Sequence, residues 1–219
     1  MNQEVLIDAI GSQLDALQSI ISAAVVLALL SAWAGISKKP TVSVFSLEVT
    51  RSEAYLLLGW TFVFVNVAAT LLFLRLADLI LNIAPTHIDE ALTVLATHSW
   101  VFNPYALFGT SSLAVIHSCF GYGALICIWW IGFTCLAVLQ GSKSEFPKSL
   151  IAIVFLGVGL ASMGAIQLGF FGVLEQLEHA DPALRNAAYL TVIPRTVTTF
   201  IGIIIGGLIF SVTFRFAAN

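Results

Sequence analysis

Charge is scarce in this chain: only 10% of its 219 residues are Asp, Glu, Lys or Arg, against about 25% in ordinary soluble domains. Nine lysines and arginines face twelve acids, for a net charge of −3. A nucleic-acid partner needs a concentrated basic face, so that class is excluded. Cysteine is nearly as sparse. Cys119, Cys127 and Cys135 lie eight residues apart within one apolar segment, a spacing that fits neither a redox pair nor a zinc site. Two such residues on one helix are also too far apart to bond each other. They read as small packing residues.

Enzymatic signatures are missing too. The chain has no GxSxG, HExxH, P-loop or dinucleotide fingerprint. Its apolar segments hold neither a pair of acids nor a Ser–Lys arrangement, which hydrolysis inside a membrane would need. The expectation is a protein without catalysis. The start, MNQEVLIDAIGSQLDAL, carries acids where a secretory signal has a basic n-region, so no cleavage is expected.

The chain is rich instead in apolar length. Hydrophobic residues make up 59% of it, and its mean hydropathy is +0.99. A soluble protein of this size could not cover that much apolar surface, which makes lipid the expected solvent. Five stretches approach or exceed the ~20 apolar residues of a spanning helix: 16–36, 55–80, 113–139, 149–174 and 197–214. Barrel strands would alternate polar and apolar residues, and these do not. The fold class predicted is an all-α integral membrane protein with five spans and short interfacial helices, forming one transmembrane domain over 1–219.

Threading comes from Lys and Arg in the connecting segments. Lys38, Lys39, Arg51, Lys143, Lys148 and Arg215 fall on one side, while Arg185 and Arg195 fall on the other, six against two. The expected topology is N-terminus outside and C-terminus in the cytoplasm. Trp33 and Trp60 then share the cytoplasmic interface, where indole rings prefer to sit. Compact loops and the missing signal point to a bacterial inner membrane. In outer segment 84–112, Thr86 with Asp89 three residues on suggests a helix start, and Ile88, Leu92 and Leu95 form its apolar stripe. In the other outer segment, 175–196, Asp181 and Pro182 read as the start of a helix that Pro194 ends.

Several residues stand out against this background. Gly157, Ala161, Ala165 and Gly169 recur every fourth position, and Gly202 and Gly206 form a GxxxG; such faces let helices approach closely. They serve packing within a subunit or contact between subunits. The N-terminal helix, 3–15, sets Glu4, Asp8 and Asp15 opposite Leu6, Ile10, Leu14 and Leu17, and is expected to run unbroken into the first span. In a symmetric oligomer its acids could form a cation vestibule; alone, they form a solvated face. Arg75, Asp78 and Asn82 share a face near the outer end of span two, where Arg75 could dock on Asp8 or Asp15. Asn66, His117 and Gln167 are the polar groups set deeper, read as interhelical hydrogen-bonders. His117 has no second intramembrane histidine, which disfavours haem, so no cofactor or metal is expected.

The function these features favour is a non-enzymatic multipass subunit that self-associates or joins a membrane complex, as scaffold or sensor for a partner. Membrane lipid and other subunits are its expected partners. Lys38, Lys39, Lys143 and Lys148 would contact a cytoplasmic protein or anionic lipid. The alternatives are an oligomeric ion channel with the acidic vestibule and, third, a small-solute transporter.

Overall fold

In the computed structural model, residues 2–36, 41–44 and 46–106 are described, together with individual positions between 113 and 168. Helix α1 spans Gln3–Ile36 without a break. A hairpin of two short strands comes next, β1 (Thr41–Val44) and β2 (Leu47–Thr50). Helix α2 covers Arg51–Leu81, a 3-10 turn Pro85–His87, and helix α3 Ile88–Thr97. The described residues are mostly helical. Two helices, Gln3–Ala34 and Arg51–Leu81, are long and apolar enough to cross a membrane. At 1.5 Å per residue they rise about 48 Å and 46 Å, well beyond a hydrocarbon core of about 30 Å.

The hairpin corrects the all-α expectation. Segment 37–54 looks in sequence like a short basic loop, yet TVSV and LEVT pair antiparallel, Thr41 opposite Thr50 and Val44 opposite Leu47. Alternation explains it, since Val42 and Val44 turn inward and Thr41 and Ser43 outward. The register leaves two residues for the turn, and Ser46 takes a φ of 67° there, as tight hairpin connections require. The second strand runs directly into α2. Thr50 accepts from the Glu53 N–H, while the Glu53 carboxylate accepts from the Thr50 N–H at 2.8 Å. This reciprocal cap satisfies two backbone donors and starts α2 four residues before the predicted span.

α1 and α2 lie antiparallel, with two apolar clusters between them. At the N-terminal end Leu6, Ile10, Leu14 and Leu17 meet Phe73, Leu76 and Ile80 of α2 and Ala91 and Leu95 of α3. At the hairpin end Leu27 and Ala28 meet Val42, Val44, Tyr55, Leu58 and Phe62. The i, i+3, i+4 spacing of these residues gives each helix one inward face. The outer face of both helices remains apolar: Leu29 is 64% and Phe64 68% exposed. Trp33 and Trp60 are also exposed, both near the hairpin end.

Helix α3 buries Ile88, Ala91, Leu92 and Leu95, the expected stripe with Ala91 added. Its start differs from expectation. Thr86 lies in the 3-10 turn led by Pro85, and no side chain caps the helix at His87. Instead the Glu90 carboxylate reaches back to the His87 ring at 3.3 Å.

Candidate functional site

The N-terminal end of the bundle is where polar groups from distant parts of the chain converge. Three contacts tie α1 to later segments. Gln3 Oε1 accepts from the Ala84 N–H at 2.9 Å. Gln13, nearly fully buried, donates from Nε2 to the Leu72 carbonyl in α2 at 3.0 Å. His98 Nε2 lies 3.1 Å from Asp15 Oδ1. The Trp100 N–H donates to His98 Nδ1 at 3.3 Å. That bond makes Nδ1 the acceptor, so in the neutral imidazole the proton sits on Nε2 and points at Asp15.

Residues 98–106, HSWVFNPYA, form a compact cap beyond α3. Asn103 organises it from a fully buried position: Nδ2 donates to the Leu95 carbonyl at 2.7 Å, and Oδ1 accepts from the Tyr105 N–H at 2.9 Å. Trp100 is buried beside Phe73, ring centres 6.5 Å apart. Helical residues further on seat the cap. The His117 ring nitrogen Nε2 lies 3.0 Å from the Val101 carbonyl, and Ser118 Oγ donates to the Pro104 carbonyl. Gly121 allows the close approach, since a Cβ there would sit 2.8 Å from the Phe102 carbonyl carbon. Gly132 plays the same part at the hairpin end, where a Cβ would overlap the buried Phe62 ring.

The expected polar residues are distributed differently from their anticipated pairings. Glu4, Asp8 and Asp15 are all exposed, on the side of α1 away from its apolar core. Arg75, Asp78 and Asn82 are exposed on the outer face of α2. Arg75 forms no ion pair among the described residues. Asp78 is engaged instead by Asn82, whose Nδ2 lies 3.3 Å from Oδ1 and 2.8 Å from the Asp78 carbonyl. Asp15, the expected alternative for Arg75, is taken by His98. Asn66 donates to the Phe62 carbonyl of its own helix at 2.8 Å, as a side chain facing a turn back can.

Ala165 is buried in the N-terminal cluster, whereas Gly157 is exposed with nothing among the described residues within 4 Å of a Cβ. Close packing at Gly157 is therefore absent among these residues. Ala161, Gly169, Gly202, Gly206, Gln167, Lys38, Lys39, Lys143 and Lys148 lie outside the described residues, as do 175–196 and span 197–214. No group of three or more His, Cys, Asp or Glu converges among the described residues.

Sequence reasoning missed Gln13, Asn103, Ser118 and Gly121. Gln13 had a signal, because it interrupts the Ile10, Leu14, Leu17 stripe. Thr50 and Glu53 had a clearer one, the T-x-x-E capping spacing. Asn103 had a turn signal in the Asn-Pro dipeptide, whereas Gly121 acts through a partner that no local pattern reveals and carried none. The chain matches no protein-family model, and no curated protein or solved structure matches it. The class the fold defines is a mainly helical chain with two helices of membrane-crossing length and apolarity.

Proposed function

We propose that the protein is a multipass membrane subunit without chemistry of its own, which self-associates or assembles with other membrane subunits and serves a partner as scaffold or sensor. The observation that carries this reading is the outer surface of α1 and α2. Each helix buries one apolar face and leaves a second one open, with Val26, Leu29, Phe64 and Leu71 among its exposed residues. An apolar surface of that extent is stable only against lipid or other helices. The cap at the N-terminal end, held by side-chain bonds from separate segments, supports a rigid surface on one side of the membrane.

The finer topology belongs to the same proposal: five spans, the N-terminus outside, and a bacterial inner membrane as location. Carbonate-washed membranes should retain the protein. Single cysteines at the exposed positions Ser12 and Ser46 should react with an impermeant thiol reagent from opposite sides, Ser12 from outside. Purified protein in detergent should then show a mass of more than one copy or bring down a stoichiometric partner. Extraction by carbonate, or labelling of both positions from one side, would overturn the reading.

A second reading, an ion pathway, draws on the outward acids Glu4, Asp8 and Asp15. It requires conductance in proteoliposomes that falls when Asp8 and Asp15 become Asn.

A further inference from the structure

Two opposite charges on this chain stand at the same height in the bundle and face away from each other. Asp8 and Arg75 are both exposed, and neither makes an ion pair among the described residues. The other candidates are committed: Asp15 to His98 and Asp78 to Asn82. Because Gln13 touches Leu72, the antiparallel helices can be put in register. Asp8 stands five residues before Gln13, a rise of about 7.5 Å, and Arg75 three residues beyond Leu72, about 4.5 Å the same way. The two charges therefore differ by about 3 Å in height, which an arginine side chain spans easily. Both occupy the outer faces of their helices, opposite Leu6 and Ile10 on α1 and Leu76 and Ile80 on α2.

We infer that Arg75 of one copy pairs with Asp8 of the next, through a head-to-tail contact of the outer face of α2 against the outer face of α1. This inference rests on the proposed self-association in a membrane and names the surface that carries it. Copies inserted with one topology share their orientation across the bilayer. Rotation about the membrane normal preserves height, so a charge pair matched in height within one chain is matched between neighbours. A contact between two different faces closes into a ring when that rotation closes. The contact gives each of these two charges an opposite partner, and the exposed Leu71 and Leu74 flanking Arg75 supply apolar contact. The pairing also removes Asp8 from any cation vestibule, so it counts against the ion-pathway reading.

The test is charge reversal followed by restoration, read as oligomer mass by light scattering in detergent and in lipid nanodiscs. Asp8→Arg and Arg75→Glu should each weaken association by at least about tenfold, and the double reversal should restore it. Because a reversed charge could disturb folding, cross-linking supplies a second arm. In a background carrying Cys119→Ser, Cys127→Ser and Cys135→Ser, full-length protein with Asp8→Cys is mixed with protein carrying Arg75→Cys. A short thiol cross-linker should yield the mixed pair in preference to either like pair. Oligomers indifferent to both reversals would overturn this contact while leaving self-association standing. The contact is equally overturned if the double reversal fails to restore association, or if like pairs dominate the cross-links. Loss of anionic lipid from Arg75→Glu with the oligomer intact would assign the arginine to headgroups and overturn the inference. A wild-type monomer in nanodiscs would remove both the inference and the self-association beneath it.

Discussion

Gln13 and Leu72 join the two long helices through a side-chain amide and a backbone carbonyl 3.0 Å apart, from a glutamine that is 7% exposed. It is a polar contact that sets the longitudinal register of α1 on α2 within a mainly apolar seam. Gln13→Leu keeps much of the volume and removes the donor, so it should cost about 0.5–1.5 kcal/mol. Gln13→Glu places a carboxylate against a carbonyl and should cost more, because an acceptor faces an acceptor in a buried site. Thermal unfolding in detergent checks both. Equal effects from the two variants would remove the hydrogen bond from the account.

The contact between His98 and Asp15 spans 83 positions of sequence but sits at the edge of the bundle, with Asp15 76% exposed. Solvent screening limits what it contributes. A double-mutant cycle with His98→Ala and Asp15→Ala should give a coupling of about 0.2–1 kcal/mol. A coupling of zero would mean that the cap holds its place through Asn103 and Trp100 alone.

Glycines 11 and 121 should respond in opposite directions to the same change. At Gly11 a new Cβ would meet, among the described residues, Val94 Cγ1 at 3.8 Å, an ordinary contact. Gly11→Ala should stabilise the protein by about 0.5–1 kcal/mol through the lower conformational freedom of alanine in the unfolded chain. At Gly121 the Cβ would press on the Phe102 backbone at 2.8 Å. Gly121→Ala should therefore cost about 1–3 kcal/mol, the usual range for overpacking. If the two variants melt together, the cap is not seated on Gly121 as described.

The junction of hairpin and α2 carries a pH dependence. Glu53 lies ahead of the apolar run 55–80. Its bonds from the Thr50 backbone N–H and then the Thr50 hydroxyl hold its carboxyl below the ordinary range. A lowered folded-state pKa means that its contribution is present above the unfolded value and is lost as pH falls through the folded one. Stability should therefore decline in the acid range with a component that Glu53→Gln abolishes. Thr50→Ala should cost about 1 kcal/mol at neutral pH through loss of the cap. A Glu53→Gln variant with an unchanged acid profile would show that the cap does not drive that component.

Legibility in the sequence differs from residue to residue. The inward stripe Leu6, Ile10, Leu14, Leu17 and the buried face of α3 can be read directly, because helical periodicity assigns a side to each residue without knowing what it meets. The length of α1 can be read in the same way. The hairpin at 41–50 is harder to see, since its strands are only four residues long and stand beside two lysines that suggest a basic loop. Its alternation of buried and exposed residues and the Thr50–Glu53 cap are nonetheless written in the sequence.

Pairings are a different matter. Spacing and depth offer Arg75 the partners Asp78, Asp8 and Asp15. In the fold, Asp78 turns to Asn82 and Asp15 to His98. Spacing shows which residues share a face of one helix; it carries no information about the rotation of that helix against its neighbour.

The sequence by itself determined that this chain forms long apolar helices, that each has an inward face set by its apolar spacing, and that its few charges fall near helix ends. Those are local properties, set by composition and a repeat of 3.6 residues. Only the tertiary structure decided that Gln13 locks the register, that Asn103 builds a cap beyond α3, and that Asp8 and Arg75 end at one height on outward faces. The first and last of these depend on contacts between segments tens of residues apart, where the relative height and rotation of two packed helices come from the combined fit of many side chains.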